Sequence, residues 1–282
     1  MWKNSITFTS EKTTNMKIRH LILALATGIL LANCAEDVEK LAKPYLERAQ
    51  ESLANGQYAL AKLQIDSIKQ LYPKAFDTRT QAQALLIEVE LSEARTGKLY
   101  TDSLLAMAQE KAATLSQALY FDKDERYQDI GSYYASRHRA EKNAGKSYLR
   151  PQTNERGAFT ITAFYRGKPI EPHTLRFAAP DGSYVELARM AEPYVMSDAA
   201  GRTERTDFTA TAEVAHFVAS HATLTATLVG NDRKAQMPFA KTDAQALTQV
   251  ANLASALKAC VELSTAQQEL ARRIGFYEQR MK

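Results

Sequence analysis

The tripeptide Gly145-Lys146-Ser147 has the residues that close a phosphate-binding loop, in which backbone N–H groups cradle phosphate oxygens and a lysine neutralises them. That chemistry needs a glycine five residues before Gly145, and the position holds Ala140; no strand pattern precedes it either. Asp122-Lys123-Asp124 starts like a calcium loop, which continues with an oxygen ligand at its fifth position, glycine at its sixth and glutamate at its twelfth. Arg126, Tyr127 and Tyr133 stand there instead. Asp122, Asp124, Glu125 and Asp129 are near one another in sequence, as paired acid–base carboxylates would be. Proximity alone sets neither the separation nor the divergent pKa values such a pair requires, and a solvated charged turn is the expectation.

His138, His173, His216 and His221 follow the leader region described below. His216 and His221 are five apart and point to different faces of a helix, and no acidic or cysteine spacing accompanies them, so no metal site is expected. Cys260 falls in a helical pattern without a histidine nearby in sequence and reads as an inert half-buried thiol. No nucleophile-elbow sequence is present, so no catalytic residue, cofactor or metal ligand is assigned. The most unusual composition is a mixture of aromatic and basic residues: Tyr127, Tyr133, Tyr134, Arg137, Arg139, Lys142, Lys146, Tyr148 and Arg150. Such side chains stack on and hydrogen-bond sugars, lipid headgroups or protein surfaces, and they also pack domain junctions. Tyr127, Tyr133, Tyr134, Arg137, Arg139, Tyr148 and Arg150 are the candidate binding residues.

The elements that must position them follow from periodicity. Val38, Leu41, Tyr45, Ala49 and Leu53, then Tyr58, Ala61, Ile65, Ile68 and Tyr72 after Asn55-Gly56, have helical spacing and predict an antiparallel hairpin ended by Pro73. The pair resembles one tetratricopeptide unit, which cannot bury its own face, so a third helix from about Asp77 must cover it. That third segment carries Leu85, Val89, Leu104, Ala108, Leu115 and Leu119, as one bent helix or two with a cap at Asp102. From Phe159 the period changes to two. Strands are predicted around 159–165, 174–177, 184–189, 224–228 and 235–239, with turns at Pro180-Asp181-Gly182 and Gly230-Asn231-Asp232. A short helix is expected at 212–220, and Asp243 caps a long C-terminal helix. The fold class is α+β: a helical, coiled-coil-like arm over 38–120, a basic tyrosine-rich junction at 121–157, a small antiparallel β domain at 158–240 and a C-terminal helix at 241–282.

Ahead of these lies an apolar run, Leu21 to Ala32, behind Met16-Lys17-Ile18-Arg19-His20. About 12 helical residues span roughly 18 Å, short of a bilayer's roughly 30 Å hydrocarbon layer, so the run reads as a secretory signal starting at Met16, with 1–15 an upstream extension. Leu31-Ala32-Asn33-Cys34 resembles a bacterial lipobox, although Asn33 departs from the usual small residue. The resemblance implies cleavage after residue 33 and lipidation of Cys34, with 34–37 as a tether. The acidic Glu36-Asp37 and Glu39 are similar to the surface-export signal of Bacteroidota lipoproteins. With "LANGQYALAKLQIDSIKQLYPKAFDTR", "DERYQDIGSYY" and "KSYLRPQTNERG", the layout resembles a family of uncharacterised Bacteroidota lipoproteins with a tetratricopeptide-like helical region and a small β-rich domain. More distantly it is similar to lipoproteins that assist outer-membrane barrel assembly.

The chain's net charge of +4 comes mostly from the leader. Lys3, Lys12, Lys17, Arg19 and Glu11 precede Cys34; without them 36 basic and 32 acidic residues fall to 32 and 31, or +1. That balance argues against nucleic acid as a partner. The expected function is a lipid-anchored outer-membrane protein acting as a non-catalytic interaction or structural module with an envelope protein partner. A glycan- or lipid-binding protein is the first alternative and an unrecognised hydrolase the second.

Overall fold

A computed structural model describes residues 38–198 and 201–282. The signal segment, Cys34 and the 34–37 tether lie outside the described residues. The described chain is α+β, as expected, and divides into two compact units.

The first unit runs to Leu99 and includes Glu269–Lys282. Helix α1 (38–54) ends at Gly56, whose φ of 70° is left-handed. Gln57 N–H donates to the Ser52 carbonyl at 2.8 Å and Gly56 N–H to that of Leu53 at 3.0 Å, the paired bonds that let a glycine close a helix. Helix α2 (Tyr58–Leu71) returns antiparallel, and α3 (Phe76–Ser116) covers the pair. The core holds Ala42, Leu46 and Ala49 of α1, Ala61, Ile65 and Ile68 of α2, and Ala82, Leu85 and Val89 of α3. The alanines let the helix axes approach. The buried face of α1 is displaced from the expected one: Leu41 is exposed, and Ala42 and Leu46 face inward, where α3 meets them. Glu39 of α1 caps α3, accepting the Asp77 and Thr78 N–H groups at 3.0 and 3.1 Å and the Thr78 hydroxyl at 2.6 Å. The final turns of the C-terminal helix pack on α3: Arg273 reaches Glu90 at 2.9 Å and Arg95 reaches Glu278 at 2.7 Å.

The second unit, Tyr100–Gln268, holds the strands. These are β1 (Tyr120–Asp122), β2 (Ser132–Tyr134), β3 (Tyr148–Asn154), β4 (Phe159–Arg166), β5 (Thr174–Ala178), β6 (Tyr184–Ala188), β7 (Tyr194–Asp198), β8 (Gly201–Thr209), β9 (Thr225–Val229) and β10 (Lys234–Met237). They form two antiparallel sheets, ordered β1-β2-β3-β4-β8-β7 and β10-β9-β5-β6, joined by an isolated bridge between Arg189 and Phe208. One core fills the space between them: Leu149, Ile161, Ala163 and Phe208 from the larger sheet, Leu175, Phe177, Leu187 and Leu228 from the smaller. Helices α4 (Ala212–Ser220) and α5 (Lys241–Arg280) add Val214, Val218, Leu247 and Val250.

Four expectations are corrected. The segment 121–157 is not a junction, because β2 and β3 and most of β1 lie in it and belong to the larger sheet. The single small sheet is two, and β7 and β8 pair where no strand was expected. Helix α3 is continuous; Asp102 does not cap it but accepts a hydrogen bond from Gln267 at 2.8 Å. Helix α5 begins two residues before Asp243, which caps from inside the first turn by accepting the Ala240 N–H at 2.7 Å.

Candidate functional site

Alternation along the six-stranded sheet separates two faces, since directly opposed residues on paired strands share a face. Ile161 and Ala163 of β4 enter the core, so Thr162 and Phe164 lie on the other side. Pairing extends that outer face across the sheet. Tyr148 opposes Phe164, Phe164 opposes Arg205, and Arg205 opposes Tyr194; Arg150 opposes Thr162, which opposes Asp207. Tyr120 and Tyr134 oppose one another on β1 and β2.

The side chains make a continuous stack. Arg139 lies over the Tyr120 ring at 4.4 Å, and the Tyr120 and Tyr134 rings are 5.5 Å apart. The Arg150 guanidinium sits 4.7 Å from the Tyr134 ring centre and 5.0 Å from that of Phe164, which stacks on Tyr148 at 4.6 Å. Tyr134 O–H donates to Asp122 Oδ2 at 2.6 Å; burial, reinforced by that bond, raises the phenol's pKa well above the usual tyrosine value. Burial likewise raises that of Tyr148. Thr162 O–H donates to Asp207 Oδ1 at 2.5 Å, and Asp207 pairs with Arg205 at 3.2 Å. Arg139 pairs with Glu141 at 3.3 Å. Arg150 differs from both in that, among the described residues, no carboxylate or hydrogen-bond acceptor meets its guanidinium; its buried Nε, like that of Arg205, has no partner.

Of the seven candidate residues, four join this strip: Tyr134, Arg139, Tyr148 and Arg150. Tyr134 and Tyr148 are buried, so they support the strip from below. Tyr133 belongs to the opposite face, packed near Ala112, Leu253 and Ala256. Tyr127 is 81% exposed on a separate turn, beside Arg126 at 5.3 Å. Arg137 pairs with Asp243 at 3.4 Å. Sequence reasoning missed Tyr120, Phe164, Tyr194, Arg205 and Asp207. A signal for Phe164 is present in the predicted 159–165 strand, where alternation sets it on the face opposite Ala163 and Tyr165.

Beside the strip is a concavity of about 610 Å³ lined by Arg137, His138, Asn143, Lys146, Tyr148 and Asp243, among others. Buried His138 donates through Nε2 to Asp243 Oδ1 at 3.0 Å. Burial pushes Asp243 up, but hydrogen bonds from His138 and the Ala240 N–H, with Arg137 nearby, hold its carboxyl below the ordinary aspartate value. Asp243 is thus committed to fixing α5 and the 136–138 turn. Asp124 is similarly engaged with Arg126, at 3.1 Å from its N–H and 3.2 Å from its guanidinium. His221 donates to the Phe217 carbonyl at 2.8 Å, and His173 contacts Thr174 at 2.8 Å. Cys260 is half-buried, its thiol pushed up by burial. Among the described residues no cluster of three metal-ligating side chains occurs, and no helix is long and apolar enough to cross a membrane.

Comparison of the chain with protein-family profiles, with curated proteins and with solved structures finds no match.

Proposed function

We propose that this chain is a lipid-anchored cell-envelope protein, held at the outer membrane through Cys34, that serves as a non-catalytic interaction module. Its working surface in this reading is the outer face of the six-stranded sheet. The observation that carries the proposal is Arg150, an ion-unpaired guanidinium clasped between Tyr134 and Phe164 on a face shared with Arg205 and Tyr194. Arginine and tyrosine are the residues that concentrate binding energy at recognition surfaces. Two carboxylates of the same face, Asp122 and Asp207, already accept hydrogen bonds from Tyr134 and Thr162, which suits them to orientation more than to proton transfer. The first described helix begins four residues after Cys34, so an acylated cysteine would sit close to the folded chain. The lipobox-like segment and the order of the sequence's segments support the reading as a lipoprotein similar to those of the Bacteroidota.

Metabolic labelling with an alkyne fatty acid, followed by mass spectrometry of the N-terminal peptide, tests the anchor: label on the native protein and none on Cys34→Ala is expected. Crosslinking in intact cells tests the module. An unmodified Cys34 behind an uncleaved leader, or no reproducible envelope neighbour, would overturn the proposal.

A further inference from the structure

Resting on that reading, we propose that the sheet's outer face binds an acidic glycan, with Arg150 receiving a uronate carboxylate. Six strands contribute to the strip, and five inter-strand spacings of about 4.8 Å give it a width of about 24 Å. That suits an extended oligomer better than a small molecule.

Charge selects the oligomer. Among the described residues Arg139 and Arg205 are compensated by Glu141 and Asp207, whereas Arg150 meets no carboxylate. A nucleic acid presents a phosphate at every nucleotide and needs a matching row of free cations. A glycan carrying separated carboxylates needs one at each acidic sugar. Arg150 suits that group specifically: a planar guanidinium offers two parallel N–H donors to a carboxylate, and its position between two rings fixes the fork in advance. Neutral parts of the chain meet complementary chemistry. Asp207 and Arg205 keep unused acceptor and donor sites for hydroxyls. Tyr194, 65% exposed at the far edge, supplies a ring face for a pyranose.

The test uses the purified full chain in detergent and measures binding of tetragalacturonate, its carboxyl-reduced neutral tetramer, oligothymidylate and anionic phosphatidylglycerol vesicles by calorimetry. Tetragalacturonate should bind at least tenfold more tightly than the reduced tetramer. Arg150→Gln should abolish that difference. Tyr194→Ala, at an exposed position where folding is not in question, should weaken the tetramer at least threefold while leaving the acid preference. No binding of tetragalacturonate at millimolar concentration, an undiminished acid preference in Arg150→Gln, or preferential binding of oligothymidylate or vesicles would overturn the inference. Calorimetry on purified protein is independent of acylation. Failure here with fatty-acid label intact at Cys34 therefore removes the ligand and leaves the anchored module, and the opposite pair of results removes the anchor alone.

Discussion

Glu204 should be among the most sensitive positions in the second unit. It lies on β8 between Thr203 and the strip residue Arg205, points inward and is 1% exposed. Its carboxylate accepts the Ile170 N–H at 3.2 Å, the Glu171 N–H at 3.3 Å and Arg202 Nη1 at 2.6 Å. Those two amides belong to the connection from β4 to β5, where the chain leaves one sheet for the other, and Glu171 has a φ of 52° there. Glu204→Ala strands the buried Ile170 N–H, the part-buried Glu171 N–H and one guanidinium. Removing one side of a buried pair costs about 3–5 kcal/mol, and because Arg202 is 30% exposed and rehydrates, about 3–4 kcal/mol is expected. Glu204→Gln keeps one acceptor and forfeits charge assistance, for about 2 kcal/mol. Urea unfolding followed by circular dichroism reads both, and exchange at the Ile170 and Glu171 amides should accelerate in each variant. At an m-value of about 2–3 kcal/mol/M the alanine variant loses roughly 1–2 M in midpoint. An alanine variant within about 1 kcal/mol of wild type, or one no worse than glutamine, would show that the carboxylate does not hold the crossover.

Gly157 has a φ of 79°, and an added Cβ would lie 2.5 Å from both the Ala254 carbonyl oxygen and the Lys258 nitrogen. Gly157→Ala should therefore cost about 2–4 kcal/mol through the left-handed backbone and the clash with α5, read as a lower thermal midpoint. Glu39→Ala should cost about 1–2 kcal/mol as a lost helix cap, with Glu39→Gln milder, in urea unfolding. The Thr78 hydroxyl, with backbone N–H groups, holds the Glu39 carboxyl below its ordinary 4.5. Its stabilisation is complete above that value and disappears as pH falls through the folded-state value, so Glu39→Gln should flatten the acid limb of stability against pH. Tyr134→Phe should cost about 1.5–3 kcal/mol by removing a hydrogen bond to a carboxylate. Because burial and Asp122 raise the Tyr134 pKa, its stabilisation is full below the ordinary tyrosine value and is lost as pH rises towards the folded-state one; ultraviolet titration should show this phenol ionising last or only on alkaline unfolding.

Legibility in the sequence followed the cost of misplacing a side chain. The α1–α2 hairpin, the β9–β10 turn and the α4 segment were readable because apolar residues recur at the period of each element, and in the first two glycine or proline ends it. Strands β1 and β2 were not, since Tyr-Phe-Asp and Ser-Tyr-Tyr are too short to show alternation. Pro151 concealed β3. It stands beyond the last β2–β3 pair, Tyr133 with Thr153, so β2 asks nothing of its missing N–H. Strand β8 was hidden by charge: its inward side carries Arg202, Glu204 and Thr206 before Phe208, an arrangement made tolerable by the half-buried Arg202 and the Ile170 and Glu171 amides that meet the buried Glu204 carboxylate. The outer-face strip was half legible for the same reason. Tyr134, Tyr148 and Arg150 stand out by composition, whereas Arg205 and Tyr194 acquire meaning only once β8 and β7 are paired.

The strip and the core are also one constraint seen from two sides. Ile161 and Ala163 point inward because Thr162 and Phe164 point outward, and Phe208 is buried because Asp207 is not. A slip of β8 by one residue against β4 would expose Phe208, which is fully buried, and turn Asp207 into the core. Losing that side chain from the core costs about 1.5–3 kcal/mol by transfer alone, before the buried carboxylate is counted. The positions of Arg150, Phe164 and Arg205 are therefore held by the hydrophobic register beneath them. If the outer face binds the proposed ligand, substitutions there retune preference without moving the strands, while a substitution at Ile161 or Phe208 acts only through the register beneath.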